Sequence, residues 1–341
     1  MVTGVPPEDL PAPVAPRAHQ VLVIAGPTAS GKTAVALACA ELLGGEIICA
    51  DSRQVYEGLA IATAKPSPEE VARVPHHLLG CVPISHTYTA GAFYRDAHGA
   101  IADITARGRI PVVAGGTGLY IRVLLNGIFD DDEAASQAER ERLEGELREK
   151  GPLLLYQELQ RLDPAGAPSV PMTNHPRLVR ALAVCRATGR PYSEVRRERM
   201  QAPGIVPFQC GIRWDRNILY ARIDQRVDSM IAAGLVDEVR AALENGADPA
   251  WTVMNAVGIA EVVAYLSGNS TRERMIELIK QHTRNFAKRQ GTWYRKEVAM
   301  RWYDAAHDAE LPTLAGKIVA DFRAVCSGAR LPGVDSGGGD G

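Results

Sequence analysis

The stretch that decides the fold is Gly26-Pro27-Thr28-Ala29-Ser30-Gly31-Lys32-Thr33, GPTASGKT in one-letter code. It fits G-x-x-x-x-G-K-[ST], the pattern of a phosphate-binding loop. Gly26 and Gly31 permit backbone conformations closed to other residues, so successive amides can converge on an anion. A helix opening at the end of the loop adds its positive dipole end. Lys32 would neutralise phosphate charge, and the Thr33 hydroxyl would be a ligand for Mg2+. The eight residues sit between a short apolar run, 21–25, and a helical pattern over 33–43.

Working outward, two further apolar runs end in chemically pointed residues. Run 46–50 stops at Asp51, and run 110–114 leads into Gly115-Gly116-Thr117-Gly118. A later run, 208–214, reads as another strand. Short apolar runs alternating with helical patterns indicate a parallel sheet covered on both faces. The expected fold class is α/β: a P-loop NTPase-like parallel sheet core flanked by helices, with an inserted helical domain. That domain is placed at 130–204, an almost continuous helical pattern broken at Gly151-Pro152, at 163–176 and at Gly189-Arg190-Pro191. The core takes 20–129 and 205–327. The proline-rich 1–19 and the tail 328–341, which ends in SGGGDG, are expected to be disordered, because neither can bury enough apolar surface to offset chain entropy.

Composition narrows the function classes. The chain has 341 residues, 46% hydrophobic and 23% charged, and 38 Lys plus Arg against 40 Asp plus Glu give a net charge of −2. A surface basic throughout is excluded, although a local basic face is not. No apolar stretch approaches the roughly 18 residues of a membrane span, and the start of the chain does not resemble a signal peptide. The six cysteines, at 39, 49, 81, 185, 210 and 326, form no close pair, which argues against a disulfide framework or a Cys-x-x-Cys zinc site. The expectation is a soluble, cytoplasmic protein. Its charges are segregated: 130–149 holds nine acids against three arginines, and 172–199 seven arginines against two glutamates. A second basic stretch, 272–301, has nine Lys or Arg and three acids. Two such stretches in a net-acidic chain suggest a groove facing a polyanion.

The loop alone does not name a reaction. Enzymes that move a terminal phosphoryl group usually hold magnesium with a second acid at another strand end. Run 110–114 has no acid at its tip. The acid available is Asp51, at the edge where open α/β sheets bind ligands. A proton acceptor beside a phosphate cradle fits this residue better than a magnesium ligand does. His76 and His77, adjacent on a strand, point to opposite faces and so do not share a metal ion. Trp293 and Tyr294 read as core or interface aromatics.

Several segments, in order, resemble the tRNA dimethylallyltransferases (tRNA isopentenyltransferases). They are GPTASGKT, ADSRQVYEGLAIATAKP at 50–66, VPHHLLG at 74–80, YTAGAFYRDA at 88–97, VVAGGTGLYIRVLLNG at 112–127, RLVRAL at 177–182, RIDQRVDSMIAAGLVDEV at 222–239 and AKRQGTWYR at 287–295. The resemblance spans about residues 20–305. It implies transfer of a dimethylallyl group from dimethylallyl diphosphate to the exocyclic amine of the adenosine just 3′ of the anticodon, giving N6-(dimethylallyl)adenosine and diphosphate. It also implies Mg2+ as cofactor and the tRNA anticodon stem-loop as partner, with the chain expected to act as a monomer. Asp51 matches the family's general base, Arg222 an arginine that binds the diphosphate, and Thr117 a residue near the reacting amine. Ser52, Arg53 and Gln54 match the segment that reads the flipped adenosine. Arg140, the turn Pro176, Arg177, Leu178, Val179 and Arg180, and the segment Asn255, Ala256, Val257, Gly258, Ile259 and Ala260 match the family's tRNA contacts.

Four places depart from the family pattern. Gly80 replaces an acid after HHLL, Ala183 replaces a glutamate, and Asn174 replaces an acid ahead of Arg177. Ile259 and Ala260 replace an aromatic and a base in GY[KR]E. Rival readings are an adenylate dimethylallyltransferase acting on a free nucleotide, a P-loop nucleotide kinase or NTPase, and a non-catalytic RNA-binding module.

Overall fold

A computed structural model describes residues 19–127, 133–197, 204–297 and 299–328. The expected disordered tails lie outside these residues, except that His19 already belongs to the first strand and Gly328 closes the last helix. Six strands alternate with helices: β1 (His19–Ala25), α1 (Lys32–Leu43), β2 (Glu46–Cys49), α2 (Pro68–Arg73), β3 (His76–His77), α3 (Ala90–Ala106), β4 (Pro111–Gly115) and α4 (Gly118–Asn126) come first. Then follow α5 (Glu133–Lys150), α6 (Pro152–Leu162), α7 (His175–Thr188), α8 (Tyr192–Arg197), β5 (Ile205–Arg213), α9 (Arg216–Ala232), α10 (Leu235–Glu244), α11 (Ile259–Leu266), α12 (Arg272–Tyr294), β6 (Arg301–Asp304) and α13 (Leu311–Cys326). The strands form one parallel sheet in the order β3-β2-β4-β1-β5-β6. The four apolar runs become β1, β2, β4 and β5. His76 and His77 lie on a strand as expected, β3, whereas β6, four residues long and too short to carry a periodic pattern, was not foreseen.

Chain period explains the layering. In β1, Leu22 and Ile24 face a core shared with α1 and α13, while Val21 and Val23, equally buried, serve the other face, where α3 packs. Each such side chain contributes about 1.5–3 kcal/mol. A third cluster joins Val55, Tyr56 and Leu59 to apolar faces of α9, α10, α11 and α12.

The chain divides into two compact units, Met1–Arg122 with Pro203–Gly341, and Val123–Ala202. The second packs α5, α6, α7 and α8 around Leu143, Leu155, Leu159, Leu178 and Leu182. Arg186 ties it together with bonds to Glu139, Glu146 and Glu158 at 2.7–2.9 Å. Among the described residues no helix is long and apolar enough to cross a membrane, and all six cysteines are free thiols.

Candidate active site

The carboxyl ends of β1, β2 and β4 bring three sequence-predicted segments to one cavity of about 340 Å³. Thr28, Lys32, Thr33, Asp51, Ser52, Arg53, Gln54 and Thr117 all line it. A second cavity shares Lys32, Thr33, Ala64, Pro66 and Arg226 with the first, and adds Arg222, Lys65 and Asp308. The lysine therefore borders both cavities.

The loop after β1 has the expected anion-binding shape. Gly31 sits in the left-handed region at φ +84° as the residue before α1, and no side chain caps the helix, so its first amides remain available. A side chain on Gly31 would also meet Leu311 at 2.7 Å. Ala29 takes φ +61°, a conformation costing roughly 1–2 kcal/mol for a residue with a Cβ. Neighbours hold it there: Arg222 Nε donates to the Ala29 carbonyl at 2.8 Å, and Trp214 Nε1 to the Ser30 carbonyl at 2.9 Å. Pro27 and Ser30 are buried. The Ser30 hydroxyl is buried without a partner, and no bond engages the Thr33 hydroxyl among the described residues. Those two oxygens suit an oxyanion and its Mg2+, which takes oxygen ligands and keeps phosphate and water in its shell. No cluster of three His, Cys, Asp or Glu side chains that could hold a metal without phosphate occurs among the described residues.

Lys32 donates to the Pro27 carbonyl at 3.2 Å. Burial lowers its pKa to about 8, against the opposing pull of Asp51. Asp51 accepts from the Arg53 and Gln54 amides through Oδ1, at 2.9 and 3.4 Å, which leaves Oδ2 unengaged. Thr117 is tied to the same turn: its hydroxyl accepts from the Ser52 amide at 3.0 Å and donates to Ser52 Oγ at 3.3 Å. The GGTG segment reaches this position because Gly115 passes the Ala50 carbonyl so closely that a Cβ would lie 2.1 Å from it.

The turn after Asp51 is used structurally. Gln54 Nε2 donates to the Thr63 and Ala64 carbonyls at 3.2 and 2.8 Å, and Arg53 Nη1 to the Thr252 carbonyl at 2.9 Å. Arg222 stacks over Trp214 at 4.2 Å and pairs with Asp308. Acids at other strand ends are also engaged: Asp215 caps α9, and Asp304 pairs with Arg213.

Asn255, Ala256, Val257 and Gly258 line the far part of the cavity. Ile259 does not: it is fully buried in the α9–α12 core, and Ala260 lies in the first turn of α11. In the helical unit, Leu178 and Val179 are core residues, so only Pro176, Arg177 and Arg180 of that turn leave side chains outside the core. Arg140 lies on α5.

The departures from the family pattern have local explanations. Asn174 caps α7 through the Arg177 amide, as an acid would. Ala183 is fully buried in the helical core. Gly80 takes φ +58° beside Lys65, whose ammonium turns to the Tyr56 and Gly58 carbonyls. His77 bonds Glu46 at 2.7 Å while His76 bonds the Val74 carbonyl, so the two histidines do serve separate partners.

Sequence reasoning missed two residues. Gln290, buried on α12, accepts from the Thr28 amide at 2.8 Å and donates to the Gly116 carbonyl at 2.9 Å, bridging the phosphate loop to GGTG. Arg226, one turn after Arg222, lines both cavities. Burial lowers its pKa, with Asp51 opposing, and no ion pair engages it among the described residues. Its spacing of four from Arg222 was the available signal.

Comparison with known proteins follows the same lines. The IPP transferase family model matches residues 54–297, and the Isopentenyl transferase model residues 19–86. A tRNA dimethylallyltransferase of Geobacter sulfurreducens is 43% identical over 303 residues, 87% of this chain and 96% of the relative. A full-length tRNA isopentenylpyrophosphate transferase from Bacillus halodurans superposes with a TM-score of 0.65 at 33% identity, covering 91% of this chain and 98% of that one. A eukaryotic dimethylallyltransferase acting on tRNA superposes with a TM-score of 0.82 at 27% identity, covering 93% and 82%.

Proposed function

This chain belongs to the IPP transferase family, and on that footing we propose that it transfers a dimethylallyl group from dimethylallyl diphosphate to the exocyclic amine of the adenosine 3′ of a tRNA anticodon. The observation that carries this reading is a phosphate cradle and an accessible carboxylate, Lys32 and Asp51, in one cavity, with the acids after β5 and in β6 engaged elsewhere.

In this reaction the carbon–oxygen bond of the donor breaks and a carbon–nitrogen bond forms. The electron pair of the broken bond goes to the departing diphosphate, where the α1 amides, Lys32 and Arg226 stabilise the growing charge. Arg222 holds the loop in shape and adds a further cation at its edge. Mg2+, held through Thr33 with Ser30 nearby, supplies further charge neutralisation when bound. The amine proton passes to Asp51, whose Oδ2 is unengaged. Thr117, fixed to the Asp51 turn, orients the amine. The target base leaves its stack to reach this carboxylate. Arg140, Arg177 and Arg180 serve as phosphate contacts from the helical unit.

The test is incubation of the purified chain with labelled dimethylallyl diphosphate and either tRNA or AMP. Label in tRNA, released on digestion as N6-(dimethylallyl)adenosine, is the expected result. Label on AMP alone would identify the nucleotide-prenylating rival, and phosphate release in a parallel incubation with ATP, without prenyl transfer in the others, the NTPase rival.

A further inference from the structure

The α12 face that lines the cavity carries Ile279, Thr283, Phe286 and Gln290, spaced four, three and four residues apart in a single stripe. Three of these are accounted for. Gln290 bridges two loops, Ile279 is core, and the Thr283 hydroxyl bonds back to the Ile279 carbonyl at 2.7 Å. Phe286 remains 38% exposed, the aromatic member of the exposed large hydrophobic side chains among the described residues. Small residues, Ala256 and Gly258, line the same cavity and present little surface to cover a ring. The Arg289 guanidinium lies 5.7 Å from the ring centroid, and neither Arg289 nor Lys288 forms an ion pair among the described residues.

An exposed aromatic ring with the unpaired Arg289 guanidinium over one face suits a flat group carried on an anionic chain. A nucleobase between phosphates has that description. The donor's diphosphate is already provided for by Lys32 and Arg226, so a cation beside Phe286 is left for the phosphates that flank a base. We propose that Phe286, with Arg289 beside it, is a stacking platform for an RNA base adjacent to the adenosine that is modified. This rests on the reading of tRNA as acceptor. The ring acts by fixing the loop so that the target base is presented to Asp51, and it takes no part in the bond changes.

The experiment uses an anticodon stem-loop carrying 2-aminopurine at either nucleotide flanking the target adenosine. Binding to the unmodified protein should quench fluorescence at one of the two. Phe286→Leu, which keeps apolar bulk and removes the flat face, should abolish that quenching and raise KM for the RNA by about tenfold, within the range for removal of one base stack. KM for dimethylallyl diphosphate should not move, and Phe286→Trp should restore both readouts. Unchanged quenching and unchanged KM for RNA in Phe286→Leu would overturn the proposal. A rise confined to the donor's KM would assign the ring to the prenyl chain and overturn it as well. Absence of transfer to RNA by the unmodified protein would instead remove the function on which the proposal rests.

Discussion

The two ends of the cavity are built by different means. At the phosphate end the cradle is shaped by main chain, a left-handed Gly31, a left-handed Ala29 and amides at the uncapped start of α1, with Lys32 and Thr33 set in the same run of sequence. At the far end the walls are side chains of α9 and α12 and the 255–258 segment, brought together from distant parts of the chain. The first kind of site needs particular residues in a row, because only certain residues accept that backbone. The second needs only that a helix stripe face inward, which many residue types satisfy. Chemistry at the first end should therefore be intolerant of single changes, and recognition at the second should degrade by steps.

The largest expected effect follows from Asp51→Asn. The amide keeps the shape of the turn but accepts no proton at the reacting amine, so turnover should fall by roughly 10²–10⁴ while RNA affinity holds. Rapid-quench measurement of transfer checks this. Near-normal turnover would break the contrast at its strongest point.

Lys32→Ala comes next, with transfer efficiency for the donor reduced by about 10²–10³, the scale of one missing transition-state charge contact. A pH profile sharpens this. With its pKa lowered to about 8 by burial, Lys32 is charged below that pH and loses its proton above it. Efficiency for the donor in the free enzyme should thus fall as pH rises through about 8. Lys32→Arg, which stays charged, should remove that limb even if its absolute rate is lower.

Gln290→Ala cuts the bridge between the loop and GGTG. It strands the Thr28 amide and the Gly116 carbonyl, at about 1–3 kcal/mol for an unsatisfied buried group. Thermal unfolding should register that loss, and kcat should fall because Lys32 and Thr117 are no longer held in register. Gln290→Glu keeps the acceptor for Thr28 and should recover part of the loss.

These residues show how far the sequence was legible. Residues 26–33 announced the cradle because a backbone-made site is written contiguously. Asp51 was found because strand ends leave a mark, an apolar run that stops, while Thr117 was singled out by the family resemblance of the GGTG segment. Gln290 and Arg226 were not found, because their importance depends on which helix face meets the cavity, and α12 and α9 carry polar residues on several faces. Ile259 was expected near RNA and is core, since its position at the start of α11 turns it towards Val253 and Met275. The short strand β6 escaped for want of length.

The smallest effect belongs to the helical unit. Replacing Arg177 and Arg180 together by alanine should lower the slope of log affinity for tRNA against log salt by roughly 0.7–0.9 for each phosphate no longer neutralised. Donor binding should stay as it was. An unchanged slope would remove both arginines from the RNA-binding surface.

The central claim is that the phosphate loop grips a leaving group and not a group in transit. Dimethylallyl diphosphate carrying oxygen-18 at the bridging position between carbon and phosphorus tests it directly. The account predicts that all of the heavy oxygen leaves with diphosphate and that the alkyl group alone reaches the tRNA adenosine. Heavy oxygen retained with the alkyl group, or phosphate found on the acceptor, would mean that a phosphorus–oxygen bond had been cut and would contradict it.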